Sequence, residues 1–376
     1  MCRTSLAIDN FPPNYEFKQN CGFPPVTKSV QNLTFDALFP DNKDILRYLF
    51  IGWTTKLINS GAESPHLSDV TVQMPTARKT DIEYGDECFS MVGSQLFSEV
   101  SVKMTCRYRG DGKPACFVFS GVRVIAEPSN LLETNERGLT TIGTDAVQIR
   151  QIEHILSALF GMDCIDTDIT LEYLTPSKDT AIAPPISHLD AKDFTLAIRR
   201  SFLNRKTRKP IEVDKLHFVT ETSSERDKSF AVIAPHGNLH ITAHVNFPHF
   251  WGKQIIGLDI DPITFEQEVC WARSFFGTPY PHLKEWEQLR EKYPGLIRER
   301  ENHYRSVMID YDNQKWLTPL FSHDEPARHK LLDFIGDLAL IGAPLNASVY
   351  VYKPHHKFNR EVVKYLKQHL FSPSQA

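Results

Sequence analysis

Apolar positions recur at helical spacing most clearly between Asp324 and Leu340. Leu331, Leu332, Ile335 and Leu338 form a broad stripe there, and Pro326 falls in a first turn, where a missing N–H costs nothing. A second helix is predicted from about Gln148 to Phe160, with Ile152, Ile155, Leu156 and Leu159 on its apolar side and Gly161 as its stop. Further helices are expected at Asp41–Ser60, Ala191–Asn204, His282–Lys292 and Asn359–Leu370. Asp261-Pro262 is expected to cap another, running to about Ser274.

Period-two or β-rich stretches fall between these helices. They include Phe97–Met104, Cys116–Phe119, Cys164–Tyr173, Lys215–Thr220, Phe230–Ala234, Leu239–Phe247, Ser306–Asp310 and Ser348–Tyr352. The turn Arg109–Pro114 points to a hairpin between the first two. Each half of the chain reads as strands, then helix, then a further strand and helix. The fold class is therefore α+β, in two similar units at 81–209 and 210–372, behind a partly helical N-terminal extension at 1–80.

Composition narrows the functional classes. Lys plus Arg is 42 and Asp plus Glu is 46, a net charge of −4, so the whole chain has no general attraction to nucleic acid or to an anionic membrane. Seven scattered cysteines without a Cys-x-x-Cys pair point to reduced thiols. No apolar run approaches the ~18 residues of a transmembrane helix, and Met1–Asn14 lacks the apolar core of a signal peptide. The expected location is cytoplasmic.

Candidate chemistry lies on the two strongest helices. His329, Asp333 and Asp337 stand at i, i+4 and i+8 and share one face. A His and a carboxylate one turn apart can close on one metal ion, although such a pair alone is more often a solvated face. Glu153-His154 pairs a second imidazole with a carboxylate able to take a proton from water, and alone it reads equally well as a surface pair. The loop Lys353–Asn359 carries His355 and His356 at a strand end and could bind an anion. His236, His240, His244 and His249 mimic a metal ladder. On a strand, however, His240 and His244 lie about 13–14 Å apart, too far for one ion.

In combination these segments resemble the LpxC family, the zinc-dependent UDP-3-O-acyl-N-acetylglucosamine deacetylases of lipid A synthesis. The string Asp324–Leu340 resembles the family's signature helix. Ile152-Glu153-His154, followed by Ser157-Ala158-Leu159, resembles its other zinc-site helix, and Lys353, His356 and Asn359 resemble its catalytic-histidine loop. The resemblance covers about Thr80 to Leu370.

The resemblance implies two α+β domains packed helix layer against helix layer, with the metal at their junction. It implies Zn²⁺ held by His154, His329 and Asp333, with Glu153 as general base and His356, oriented by Asp337, as general acid. Lys330 and Ser274 would stabilise the oxyanion, while Lys353 and Phe275 would bind an acylated nucleotide-sugar substrate. Two segments depart from the family pattern. Gln95-Leu96-Phe97-Ser98-Glu99 replaces a Gly-Leu-His-Ser/Thr-Gly turn, and Pro176–Ala181 has no Asp-Gly-Ser segment. Two alternatives therefore stand beside deacetylation of the UDP-sugar. One is a zinc amidohydrolase acting on another N-acyl amino sugar or metabolite; the other is an inactive scaffold of the same fold.

Overall fold

The computed structural model describes residues 81–95, 100–133, 139–186, 189–222, 228–247, 250–278, 306–311, 313–316 and 318–371. The expected extension at 1–80, the helix His282–Lys292 and residues Phe97–Glu99 lie outside the described residues.

A mixed six-stranded sheet is built from β1 (Asp81–Gly85), β2 (Cys88–Ser94), β3 (Ser101–Tyr108), β4 (Cys116–Phe119), β5 (Val122–Ile125) and β8 (Thr167–Tyr173). Its order is β1-β2-β3-β8-β4-β5. In β3, Val102, Met104, Cys106 and Tyr108 are buried, while Ser101, Lys103, Thr105 and Arg107 alternate toward the other face, the signature of a sheet with one covered side. The expected hairpin between β3 and β4 does not form. β8 lies between them, antiparallel to β3 and parallel to β4. The 109–114 connection instead wraps the start of β8. Arg109 bonds Asp168, and the Gly112 amide donates to Asp166 Oδ2 at 3.1 Å.

A small sheet follows, of β6 (Thr141–Gly143), β7 (Gln148–Arg150) and β9 (Ala181–Ile182). Residues 148–150 are thus a strand, and helix α1 starts only at Glu153 (Glu153–Gly161). Gln151, at φ 57°, turns the chain between the two. Gly161 is the last residue of α1 rather than a stop beyond it. It is small because a Cβ there would sit 2.3 Å from the Phe265 ring. Helix α2 (Lys192–Ser201) lies on β1 and β2.

The second large sheet has the order β11-β12-β18-β13-β14, comprising His217–Thr220, Phe230–Pro235, Leu345–Tyr352, Leu239–Asn246 and Lys253–Asp259. The two-residue strand β10 (Ile211–Glu212) pairs with the start of β18. Period two holds in β13, and its histidines have separate partners. His240 Nδ1 is 2.8 Å from Asp259 Oδ1, and His244 Nδ1 is 2.7 Å from the Tyr350 hydroxyl.

Asp261 caps as expected, accepting from the Ile263 and Thr264 amides at 2.8 and 2.9 Å. The expected long helix does not follow. One helical turn (Pro262–Thr264) widens into a π-turn (Phe265–Val269) and ends in a turn, leaving residues 272–274 outside helix and strand. That segment enters β15 (Phe275–Thr278), which pairs with β16 (Val307–Asp310); β17 (Lys315–Trp316) completes a three-stranded sheet.

Helix α3 (Glu325–Leu338) packs on β13 and β14, and α4 (His356–Leu370) packs on β11. Leu331, Leu332, Ile335 and Leu338 of α3 are all fully buried. Each such side chain contributes about 1.5–3 kcal/mol. Helix α3 also crosses α1 at very short range. A Cβ on Gly336 would lie 2.0 Å from the Glu153 carbonyl oxygen, so only glycine permits this approach.

The end of α1 gives a pH-dependent prediction. Asp163 follows the helix at φ 54°, and burial pushes its carboxyl up from 3.8 to about 6, against the pull of Arg208. A carboxyl whose folded value is raised is favoured in its protonated form by the fold. Its contribution is present below pH ~4 and is lost as pH rises through about 6. Asparagine accepts the left-handed backbone and cannot ionise. Asp163→Asn should therefore stabilise by about 1 kcal/mol at pH 7.5, a value discounted for the partly exposed side chain, and by nothing below pH ~4. Urea denaturation at both pH values measures this, and equal gains at both would contradict it.

Candidate active site

The crossing of α1 and α3 brings together side chains 175 (329 − 154) and 179 (333 − 154) positions apart in the chain. His154 comes from the first turn of α1, and His329 and Asp333 come from successive turns of α3. All three are buried, and one ligand atom from each lies within 4.8 Å of the others. Asp333 Oδ1 stands 3.4 Å from His329 Nε2 and 3.6 Å from His154 Nε2, and it makes no hydrogen bond. A buried carboxylate oxygen without a donor is costly. Donors that each bind a tetrahedral ion at about 2.0–2.1 Å stand roughly 3.4 Å apart, so these spacings fit three ligands of one metal.

The surrounding groups prepare the same atoms. His329 Nδ1 donates to the Ala272 carbonyl at 3.0 Å, which leaves Nε2 as the ring's lone-pair nitrogen. Burial pushes His329 down to about 3, keeping it neutral as a ligand must be. Burial opposes ionisation of Asp333, yet His329, Lys330 and His356 hold its carboxyl well below the usual range. Lys330 Nζ donates to Asp333 Oδ2 at 2.9 Å.

Glu153 is buried one residue before His154 and accepts from the Thr140 amide at 3.2 Å. Burial raises its pKa, partly offset by His356 and His154. His356 is the first residue of α4, where His355 is the N-cap and accepts from the Phe358 amide. Its Nδ1 is 2.8 Å from Asp337 Oδ2, and its Nε2 is 3.7 Å from Asp333 Oδ2. Burial would lower its pKa, but Asp337 and Asp333 outweigh that and push it up to about 9. The imidazole is therefore charged at neutral pH. Asp337 is itself held by Asn359 Nδ2 at 2.8 Å and by the Thr140 hydroxyl.

Ser274, the last residue before β15, and Phe275, its first, reach the cluster. Ser274 Oγ is 2.7 Å from His329 Nε2, and the Phe275 ring stands edge-on to that imidazole at 6.2 Å. Lys330 Nζ lies 5.5 Å from the centre of the Phe275 ring. Lys353 follows the last residue of β18. Its amide donates to the His244 carbonyl, its backbone is left-handed at φ 52°, and its Nζ lies 5.8 Å from the Tyr352 ring centre. Among the departing segments, Gln95 finds a partner 88 residues further along the chain. Its side chain accepts from the Ala183 amide at 2.8 Å.

Two contributors escaped the sequence reading. Thr140 ties Asp337 and Glu153 together from a loop without periodicity, and no signal marks it. Gly336 did carry a signal, because a lone glycine inside a helix costs about 1 kcal/mol relative to alanine and calls for a packing reason.

Two histidines and an aspartate converging on one point, beside a buried carboxylate and a charged imidazole, define a metal-assisted hydrolase. The family model described as UDP-3-O-acyl N-acetylglycosamine deacetylase matches residues 86–368, and the chain belongs to this LpxC family. A UDP-3-O-acyl-N-acetylglucosamine deacetylase of Syntrophus aciditrophicus is 32% identical over 230 residues, covering 60% of this chain and 66% of that protein. One of Nitratidesulfovibrio vulgaris is 30% identical, covering 66% and 74%. One of Aquifex aeolicus is 28% identical, covering 74% and 90%. Among the described residues, no helix is long and apolar enough to cross a membrane.

Proposed function

We propose that this chain hydrolyses the acetamide of UDP-3-O-acyl-N-acetylglucosamine, an early step of lipid A biosynthesis, yielding acetate and the free amine. The observation that carries the reading is the His154–His329–Asp333 group beside Glu153 and His356, within a family match spanning most of the chain. The metal we assign is Zn²⁺, which all three side chains suit. When bound, it supplies Lewis acidity toward the amide carbonyl and the attacking water.

The remaining steps belong to the chain's own residues. Glu153, its basicity raised by burial, takes the proton from water. His356 gives a proton to the departing nitrogen, and Asp337 fixes the ring that delivers it. Lys330 and Ser274 stabilise the developing oxyanion. Phe275 lines the substrate site, and Lys353 binds the substrate's phosphates. We further propose that 81–209 and 210–372 are two α+β domains whose helix layers face each other, with the metal at their junction.

The test is a zinc-loaded preparation assayed on the acylated UDP-sugar beside simple N-acetyl amines. Turnover of the UDP-sugar is expected; its absence would sink the substrate assignment. His329→Ala should lose nearly all bound zinc by elemental analysis and nearly all turnover. Retention of zinc would remove His329 from the ligand set.

A further inference from the structure

One buried ion pair lies beside the site without belonging to the proposed chemistry. Arg273 and Glu325 are 1% and 0% exposed. Glu325 Oε1 accepts from Arg273 Nε at 2.7 Å and from the Arg273 backbone amide at 3.1 Å. Its Oε2 accepts from Arg273 Nη2 at 2.9 Å and from the Phe321 amide at 2.8 Å. Arg273 Nη2 also donates to the Pro319 carbonyl at 2.8 Å, and the guanidinium lies 3.8 Å over the Phe321 ring.

Two charges with this little exposure are a poor route to stability, because desolvation offsets much of their attraction. Their placement points to another use. Glu325 is one helical turn before His329 on α3. Arg273 is flanked by Ala272, whose carbonyl accepts from His329 Nδ1, and by Ser274, whose hydroxyl meets His329 Nε2. Ala272 therefore holds the imidazole through Nδ1, Ser274 Oγ stands on the Nε2 side where the metal would bind, and the residue between them is bolted to the helix that carries that imidazole. A planar guanidinium held in a fork by one carboxylate resists both rotation and sliding.

We infer that the Arg273–Glu325 pair is a positioning device. It locks the 272–274 segment to α3 so that His329 is held as its Nδ1–H tautomer, with Nε2 aimed at the metal position. The inference rests on the metal-site reading above. Neither Arg273 nor Glu325 is assigned contact with the substrate; both act through His329.

The experiment uses the full chain labelled with ¹⁵N-histidine. Zinc affinity is read by competition with a chelator, and the His329 Nδ1–H signal is identified by its absence in His329→Ala. Glu325→Gln should weaken zinc binding by about 10-fold, the low end of the cost of losing an outer-shell partner, because Glu325 acts one contact further out. It should also speed exchange of the Nδ1–H proton. A core variant, Ile169→Ala in β8, should lose thermal stability yet leave both readouts within about 2-fold, because a merely structural loss moves neither. If Glu325→Gln does not accumulate folded, Arg273→Lys takes its place. It keeps the charge but loses the fork, and should show the same changes at about 3–10-fold. A folded variant that binds zinc like the parent and keeps a protected Nδ1–H overturns the inference. A parent chain that binds no zinc, or a His329→Ala variant that binds it normally, overturns the metal-site reading and the inference together.

Discussion

Glu153→Gln should lower kcat for deacetylation by about 10²–10⁴-fold, the usual contribution of a positioned general base, while zinc content stays unchanged. Glutamine keeps the shape of the side chain and an oxygen that can still accept from the Thr140 amide, a bond of 3.2 Å in the parent. It removes only the ability to take a proton. The group proposed to hold the metal is His154, His329 and Asp333, none of which is altered. Burial already disfavours the charged carboxylate, so its loss should not unfold the chain. Both quantities are measurable on one sample, by steady-state kinetics and elemental analysis. Undiminished turnover would remove Glu153 from its assigned role. Loss of zinc together with activity would instead make it a structural support of the ligands.

Gly336→Ala should be among the most destabilising single substitutions in the chain, against the sign that local propensity gives. In an isolated helix alanine is better than glycine by about 0.8–1.0 kcal/mol. Here the added methyl would stand 2.0 Å from the Glu153 carbonyl oxygen and 2.8 Å from its carbon. These are backbone atoms and cannot swing away, so α1 and α3 must separate. Overpacking of this kind costs about 3 kcal/mol or more, a large share of the 5–15 kcal/mol that holds a typical domain together. The same separation moves Glu153 and His154 away from His329 and Asp333. A displacement of about 1 Å can cost about 10²-fold in rate, so the surviving folded fraction should also turn over slowly. Urea midpoints and kcat per folded molecule test the two parts separately. A variant as stable as the parent would show that the helices are not in such close approach.

Elements whose ends are set by local chemistry were legible in the chain. The α3 stripe, the alternation in β13 and the Asp261 cap all follow from spacing or side-chain reach within a few residues. The reading failed where a distant neighbour decides. Residues 148–150 look helical by periodicity, yet β6 and β9 claim them as a strand. The turn at 109–114 looks like a hairpin, yet β8 inserts between its arms. Gly161 looks like a stop signal, yet it is there to admit the Phe265 ring.

The site divides along the same line. By itself the sequence determined the candidate groups: imidazoles and carboxylates at i, i+4 and i+8 on one helix, and adjacent on another, follow from spacing, while the roles proposed for them follow from the family resemblance. It also determined the family to which those strings belong. Only the tertiary structure decided that Glu153 and His154 meet His329 and Asp333, since that depends on two helix backbones touching at Gly336. Only the tertiary structure supplied Thr140, and only it showed that Arg273 and Glu325 tie the segment flanking His329 to α3. Burial did the rest. It holds His329 neutral, while at His356 the Asp337 and Asp333 carboxylates outweigh it and favour the charged ring, so the two imidazoles are pushed in opposite directions. Such shifts depend on the dielectric and the charges around a group, which the order of residues along a chain does not specify.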